Sequence, residues 1–174
     1  MMNIHELPWF YRFSLRYSQF MDPIQIPYLR DIDQRLISEG NFNGFGVIAL
    51  ISNSQNEYLV HLRDDKDWIA HPNLWAFIGG VVEDGEEPEY AILREVHEEV
   101  NLVAKSAKPI YRLVDIEGSR NQITVFEISA DCEIGDLTLN EGQDFGFYSP
   151  SELLKMPLVP FARDLINIYF KSGI

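Results

Sequence analysis

The segment from Pro88 to Val100 constrains this chain more than any other, because its helical pattern sets three glutamates on one face with a single arginine among them. Proline suits the first helical position, where its missing N–H would have had no partner in any case. Ile92, Leu93, Val96 and Val100 share one arc of the helical wheel, which should face a core. Glu95, Glu98 and Glu99 share a separate arc with the small Ala91 at its middle. Residues three and four apart on a helix bring their Cβ atoms to about 5–6 Å. Like charges at such distances repel by roughly 1 kcal/mol in water, and by several at an effective dielectric near 20. Arg94 cannot neutralise three carboxylates by itself.

A run of acidic residues on a helix is ordinarily a solvated face. This one lacks the interspersed lysines of such a surface. It also follows a glycine-hinged loop, Gly79-Gly80-Val81-Val82-Glu83-Asp84-Gly85-Glu86, that carries further carboxylates toward the same helix. Hard divalent cations want oxygen ligands, and Mg²⁺ commonly takes a few carboxylates plus water and substrate phosphate. The residues alone therefore point to a metal site, with a solvated acidic face as the alternative.

The charge of the whole chain fits that reading. Twenty-seven acidic residues against 14 basic ones give a formal charge of −13, and residues 80–102, with eight acids and one base, hold −7 of it. No basic footprint for nucleic-acid backbone or anionic lipid exists at the whole-chain level, so neither nucleic acid nor membrane is the expected partner. A phosphate ligand would have to be bound through cations. Cys132 is the only cysteine, which excludes an intramolecular disulfide and a thiolate metal cage. His5, Glu6, Arg12, Arg16 and Asp22 break up any apolar core of a secretory signal, and no stretch approaches the roughly 18 apolar residues of a membrane span. A cytoplasmic location is expected.

Two regions are expected along the 174 residues. Residues 1–40 are aromatic-rich: Phe10, Phe13, Tyr17 and Phe20 or Met21 fall at helical spacing, as do Leu29, Ile32, Leu36 and Ile37 before Gly40. They predict a helical extension packed on the domain or on a partner subunit, as in a homodimer. Residues 41–174 read as the domain proper. Gly46–Ile51 and Tyr58–Leu62 predict a hairpin, and Trp75–Ile78, Ile110–Ile116 and Ile123–Ile128 predict further strands. Helices are expected from Ser149-Pro150 and over Phe161–Phe170. Strands on both sides of a central helix predict a mixed α/β layered domain.

Gly80, five residues, Glu86, seven residues, then Arg94-Glu95-Val96-His97-Glu98-Glu99-Val100-Asn101-Leu102 resembles the Nudix box of the Nudix hydrolases. Asn101 stands where that family has glycine, a mild departure, since asparagine is the next best residue for a left-handed helix end. Leu62-Arg63-Asp64-Asp65, Trp75-Ala76-Phe77 and Glu141-Gly142-Gln143 are similar to segments seen in many members. The resemblance spans about Gly44 to Phe170. It implies an α/β fold, an α/β/α sandwich with a mixed sheet and the carboxylate helix on one face, to which the N-terminal helical extension is added.

It also implies hydrolysis of a diphosphate linkage by water with Mg²⁺ or Mn²⁺ as cofactor, on a small-molecule nucleotide such as a nucleotide sugar or a nucleoside di- or triphosphate. Glu95 and Glu99 would hold metal, with Glu98 as a further ligand or base and the Gly80 carbonyl completing a shell. Glu98 and Glu141 are equal candidates for the general base. Arg94 would orient Glu86 and the other carboxylates rather than touch substrate, and Gly85 would shape the loop. Arg63 would contact phosphate or else pair with Asp64 or Asp65. Gly79 would line the substrate site, and so would Trp75 or Phe77 unless both are core. His97 is expected at an edge or in packing. Two other classes remain: a nucleotide-sensing module without turnover, for which damaged carboxylates would be the mark, and an isoprenoid diphosphate isomerase, for which Cys132 is poorly placed.

Overall fold

Alternation along one strand decides how the layers form. In the computed structural model, which describes residues 37–171, Phe45–Ser52 forms β1. Val47, Ala49 and Ile51 point to one side of the sheet and Ile48 and Leu50 to the other, all of them buried. A strand buried on both faces needs a covering layer on each.

Those layers come from the elements that follow. They are β2 (Tyr58–Leu62), β3 (Trp75–Ala76), β4 (Ile78–Val81), α1 (Pro88–Val100), β5 (Lys108–Val114), β6 (Gln122–Ser129), β7 (Asp144–Tyr148), α2 (Pro150–Leu153) and α3 (Pro160–Lys171). Ala91, Ile92, Val96 and Val100 of α1 cover the Val47 face. Leu153 of α2, with Ala162, Leu165 and Ile166 of α3, covers the Ile48 face. The expected mixed sheet between helical layers is what the chain forms.

Along its whole length β1 pairs in parallel with β6, from Phe45 opposite Gln122 to Ser52 opposite Ser129, and β5 adds antiparallel to β6. The other edge of β1 is divided. Its first half pairs antiparallel with β4, from Gly46 opposite Val81 to Ala49 opposite Ile78, whereas β2 joins only at Ser52 opposite Tyr58. Beyond that point β2 leaves β1 and is flanked by β3 and β7.

Two details differ from the sequence expectation. The strand expected over Trp75–Ile78 is two strands, one each on β2 and β1, with Phe77 at the transfer. Strand β7 was not anticipated, because Gly146 interrupts its alternation. A Cβ on Gly146 would lie 2.9 Å from Cε2 of Tyr148, whose ring folds over it.

Of the N-terminal extension only the end is described. Gly40, at φ +65°, closes a turn by donating its N–H to Ile37 O at 3.1 Å. The expected helices upstream lie outside the described residues. No helix among the described residues is long and apolar enough to cross a membrane.

Candidate active site

The acidic face of α1 is organised by its one arginine. Arg94 donates through Nε and Nη2 to the two oxygens of Glu86, both at 2.9 Å, in a bidentate pair. Nη1 donates to Glu95 Oε1 at 2.8 Å and to Glu98 Oε2 at 3.0 Å, and Nη2 reaches Val81 O at 3.1 Å. All five guanidinium hydrogens are thereby engaged. These bonds, the one to Glu86 foremost, raise the Arg94 pKa further and hold the Glu86 carboxyl below its usual range. Glu86 also accepts the Glu83 N–H at 3.1 Å, so the arginine fixes the loop as well as the helix. Gly85, at φ +81°, supplies the left-handed turn in that loop.

The three glutamates of the box differ in environment. Glu98 is 57% exposed, while Glu99 is buried. Burial pushes the Glu99 pKa up to about 8, and the nearby charge of Glu141 adds to the rise. Glu95 is raised too, by burial first and then by Glu98 and Glu141, against the lowering effect of Arg94. The Gly79 N–H donates to Glu99 Oε1 at 3.3 Å. Glu99 Oε2 is buried and makes no hydrogen bond, and His61 Nδ1 lies 3.2 Å from it. His61 itself is buried, and burial lowers its pKa to about 4, so the ring is neutral near pH 7.

The two glycines before the box are required by contact. A Cβ on Gly79 would lie 2.1 Å from Val47 O on β1, and one on Gly80 would lie 2.4 Å from the Glu95 carboxyl carbon. Both residues sit on β4, which carries the start of the loop along β1 to the foot of α1.

Glu141 reaches this site from a loop more than forty residues beyond Glu99, and it does so because that loop caps α1. Asn140 donates its backbone N–H to Glu99 O and its side-chain amide to Glu98 O, both at 2.8 Å, and the Thr138 N–H reaches Val100 O at 3.1 Å. These are carbonyls of the last helical turn, which have no partner within the helix. At the same end Asn101 adopts φ 56° and ψ 28° and donates its N–H to His97 O at 2.9 Å, as expected for a left-handed cap. After Glu141 the loop is tied to β2 by the Gln143 N–H on Leu62 O at 2.8 Å.

The other sequence candidates divide. The Arg63 charge acts on both Glu99 and His61 and lowers the pKa of each. Its Nε donates to Ala70 O at 2.9 Å, while Asp64 pairs with Lys66. Phe77 is buried on the α3 side of the sheet, and Trp75 packs edge-on against Tyr148 at 5.6 Å on that same side. Strand alternation thus gives both rings the core role and turns them away from the α1 face. His97 is exposed rather than packed. Sequence reasoning missed the place of His61 and Asn140, since nothing in their local pattern marks either one.

Among the described residues no three His, Cys, Asp or Glu side chains converge as an ion-holding group, and Arg94 bonds both Glu95 and Glu98. The donor set nevertheless suits a hard cation: an unpartnered buried Glu99 oxygen, carboxylates whose pKa is raised by burial and by one another's charge, and oxygen donors throughout.

A NUDIX domain family model matches residues 43–167. Nucleoside triphosphatase NudI of Escherichia fergusonii is 29% identical over 133 residues, covering 70% of this chain and 93% of that protein. The NudI of Escherichia coli O81 is 31% identical over the same shares. Among solved structures, the MutT protein of Methanosarcina mazei matches with a TM-score of 0.63 at 22% identity, over 75% of this chain and 95% of its own. The NUDIX domain of Shewanella oneidensis NrtR, solved with ADP ribose, matches with a TM-score of 0.59 at 16% identity, over 92% of this chain and 99% of its own. At these identities the solved structures speak for the fold alone. The extent of the domain match, joined to a complete set of box carboxylates on α1, means that the chain belongs to the Nudix hydrolase family.

Proposed function

We propose that this Nudix pyrophosphohydrolase cleaves a diphosphate linkage in a free nucleoside triphosphate, with Mg²⁺ or Mn²⁺ as its cofactor. The observation that carries the reading is the contrast within one helical face: Glu99 is buried with an unpartnered oxygen, while Glu98 one position earlier is exposed. A buried acid suits a cation ligand, and an exposed one can exchange a proton with solvent. The names of the NudI relatives favour a nucleoside triphosphate over a nucleotide sugar.

Bound at this site, the cation would neutralise phosphate charge and help to activate water. Glu95, Glu98, Glu99 and the Gly80 carbonyl would hold it. Arg94 keeps three carboxylates in register and does not reach for substrate, since its hydrogens are all engaged. Glu98 or Glu141 accepts the proton of the attacking water. The water oxygen bonds to phosphorus, and the bridging oxygen departs with the other phosphate. Arg63, whose charge reaches Glu99, would offer positive charge to an incoming phosphate. Phosphoryl transfer needs mainly this positioning and charge neutralisation.

A turnover screen tests the proposal, with nucleoside triphosphates, nucleoside diphosphates, nucleotide sugars and dinucleotides supplied with Mg²⁺, Mn²⁺ or a chelator. Triphosphates should turn over fastest, and the chelator should abolish turnover. A faster nucleotide sugar would overturn the substrate assignment. Tight binding without turnover of any compound would favour a nucleotide sensor instead.

A further inference from the structure

His61 is the buried polar side chain that the proposed chemistry leaves without a task. It lies on β2 between Val60 and Leu62, is 3% exposed, and neither ring nitrogen makes a well-formed hydrogen bond among the described residues, although the Glu141 backbone lies near enough to act on the ring. Leaving a buried polar group without a good hydrogen bond is costly, so a histidine there calls for an explanation. A leucine would fill the same strand position without that cost.

The surroundings of the ring supply one. Nδ1 is 3.2 Å from Glu99 Oε2, the oxygen that also lacks a hydrogen bond. That separation is within the reach of an N–H···O bond from an Nδ1–H donor. The other oxygen of Glu99 already accepts the Gly79 N–H. The loop that carries Glu141 approaches the same nitrogen: a Cβ on Gly142 would come within 3.3 Å of Nδ1 and 2.8 Å of Leu62 O. Nδ1 therefore faces both Glu99 and the Glu141 loop, and Gly142 is what lets the loop approach so closely.

We infer that His61 is a positioning residue, which orients Glu99 through an Nδ1–H···Oε2 hydrogen bond. The inference rests on the proposed role of Glu99 as a cation ligand. Hydrogen bonds behind a ligand fix its orientation, and losing one typically costs about 10–100-fold in metal affinity or activity.

His61→Leu removes the donor and keeps the bulk. His61→Asn places an amide nitrogen near the Nδ1 position. Mn²⁺ affinity of the whole chain, measured by calorimetry, should fall about 10–100-fold in His61→Leu and recover most of that loss in His61→Asn. On a turned-over nucleotide, kcat should follow the same order while KM changes little, because His61 touches no substrate. If His61→Leu fails to fold, His61→Gln replaces it, since its longer amide reaches past the Nδ1 position and should leave the defect uncorrected. Wild-type Mn²⁺ affinity and kcat in His61→Leu would overturn the inference, and so would a variant His61→Asn as defective as His61→Leu at equal melting temperature. If the wild type binds Mn²⁺ but turns over no nucleotide, the proposed function fails while the affinity series still decides the role of His61.

Discussion

Gly80 and Glu95 pack so closely that a Cβ on the glycine would lie 2.4 Å from the carboxyl carbon of the glutamate. Its neighbour Gly79 meets backbone instead, 2.1 Å from Val47 O and 2.7 Å from the Ile48 Cα. The two positions should respond to alanine in opposite ways. In Gly80→Ala the end of a flexible side chain can swing aside, so the fold should survive while Glu95 leaves Arg94 and the rate falls. In Gly79→Ala strand β4 must move away from β1, which should destabilise by about 3 kcal/mol, the upper end of ordinary overpacking. Urea denaturation and steady-state kinetics on both variants check this, and an equal loss of stability in the two would contradict it.

Glu98→Gln and Glu99→Gln should each lower kcat at least about a hundredfold, a usual scale for removing a general base. Their second readouts should differ. Glu99→Gln should weaken Mn²⁺ binding more than Glu98→Gln does, given the burial of Glu99 and its unpartnered oxygen. Full activity in both variants would refute the mechanism.

Arg94→Lys should be far from conservative. An ammonium has three donors and cannot form the bidentate pair with Glu86 while also reaching Glu95, Glu98 and Val81 O. The expected result is a loss of about tenfold or more in kcat, with faster amide exchange at residues 83–86, whose loop Glu86 and Arg94 fasten together. Wild-type exchange there would show that the loop holds itself.

The metal-free protein should lose stability as pH rises from about 6.5 to about 8. Glu99 has a folded pKa of about 8, above its ordinary value near 4.5, so the stability it contributes is full below the lower value and is lost as pH passes through the higher one. Glu95, also raised by burial, acts in the same direction. His61 has the opposite sign at lower pH: its folded pKa of about 4 lies below 6.5, so its contribution is lost as pH falls through that window. The two effects oppose each other below about 6.5, and the Glu99 effect continues above it. Melting temperatures in the presence of chelator should therefore be lower at pH 8 than at pH 6.5. Glu99→Gln should flatten that difference, and Mn²⁺ should reverse it by displacing the proton.

Much of α1 was legible in the sequence. Proline at its start, the apolar arc, the acidic arc and the asparagine at its left-handed end are properties of one helix, and they follow from residue spacing without reference to the rest of the chain. Strand β7 was not legible, because Gly146 hides its alternation and the Tyr148 ring that replaces the missing side chain is seen only in three dimensions.

The sequence by itself determined which residues carry the charge: Glu95, Glu98 and Glu99 on one arc, one arginine among them, and a family whose box they complete. It could not rank those three glutamates, since a helical wheel treats them alike. Tertiary structure decided that Glu99 is buried under β2 and β4 while Glu98 meets solvent, that His61 stands behind Glu99, and that Asn140 draws Glu141 to the end of the helix. Burial and electrostatic coupling are set by which distant segments cover a position. Residues 61, 99 and 141 come together because strand pairing and a helix cap bring them there, and no local period in the chain encodes that meeting.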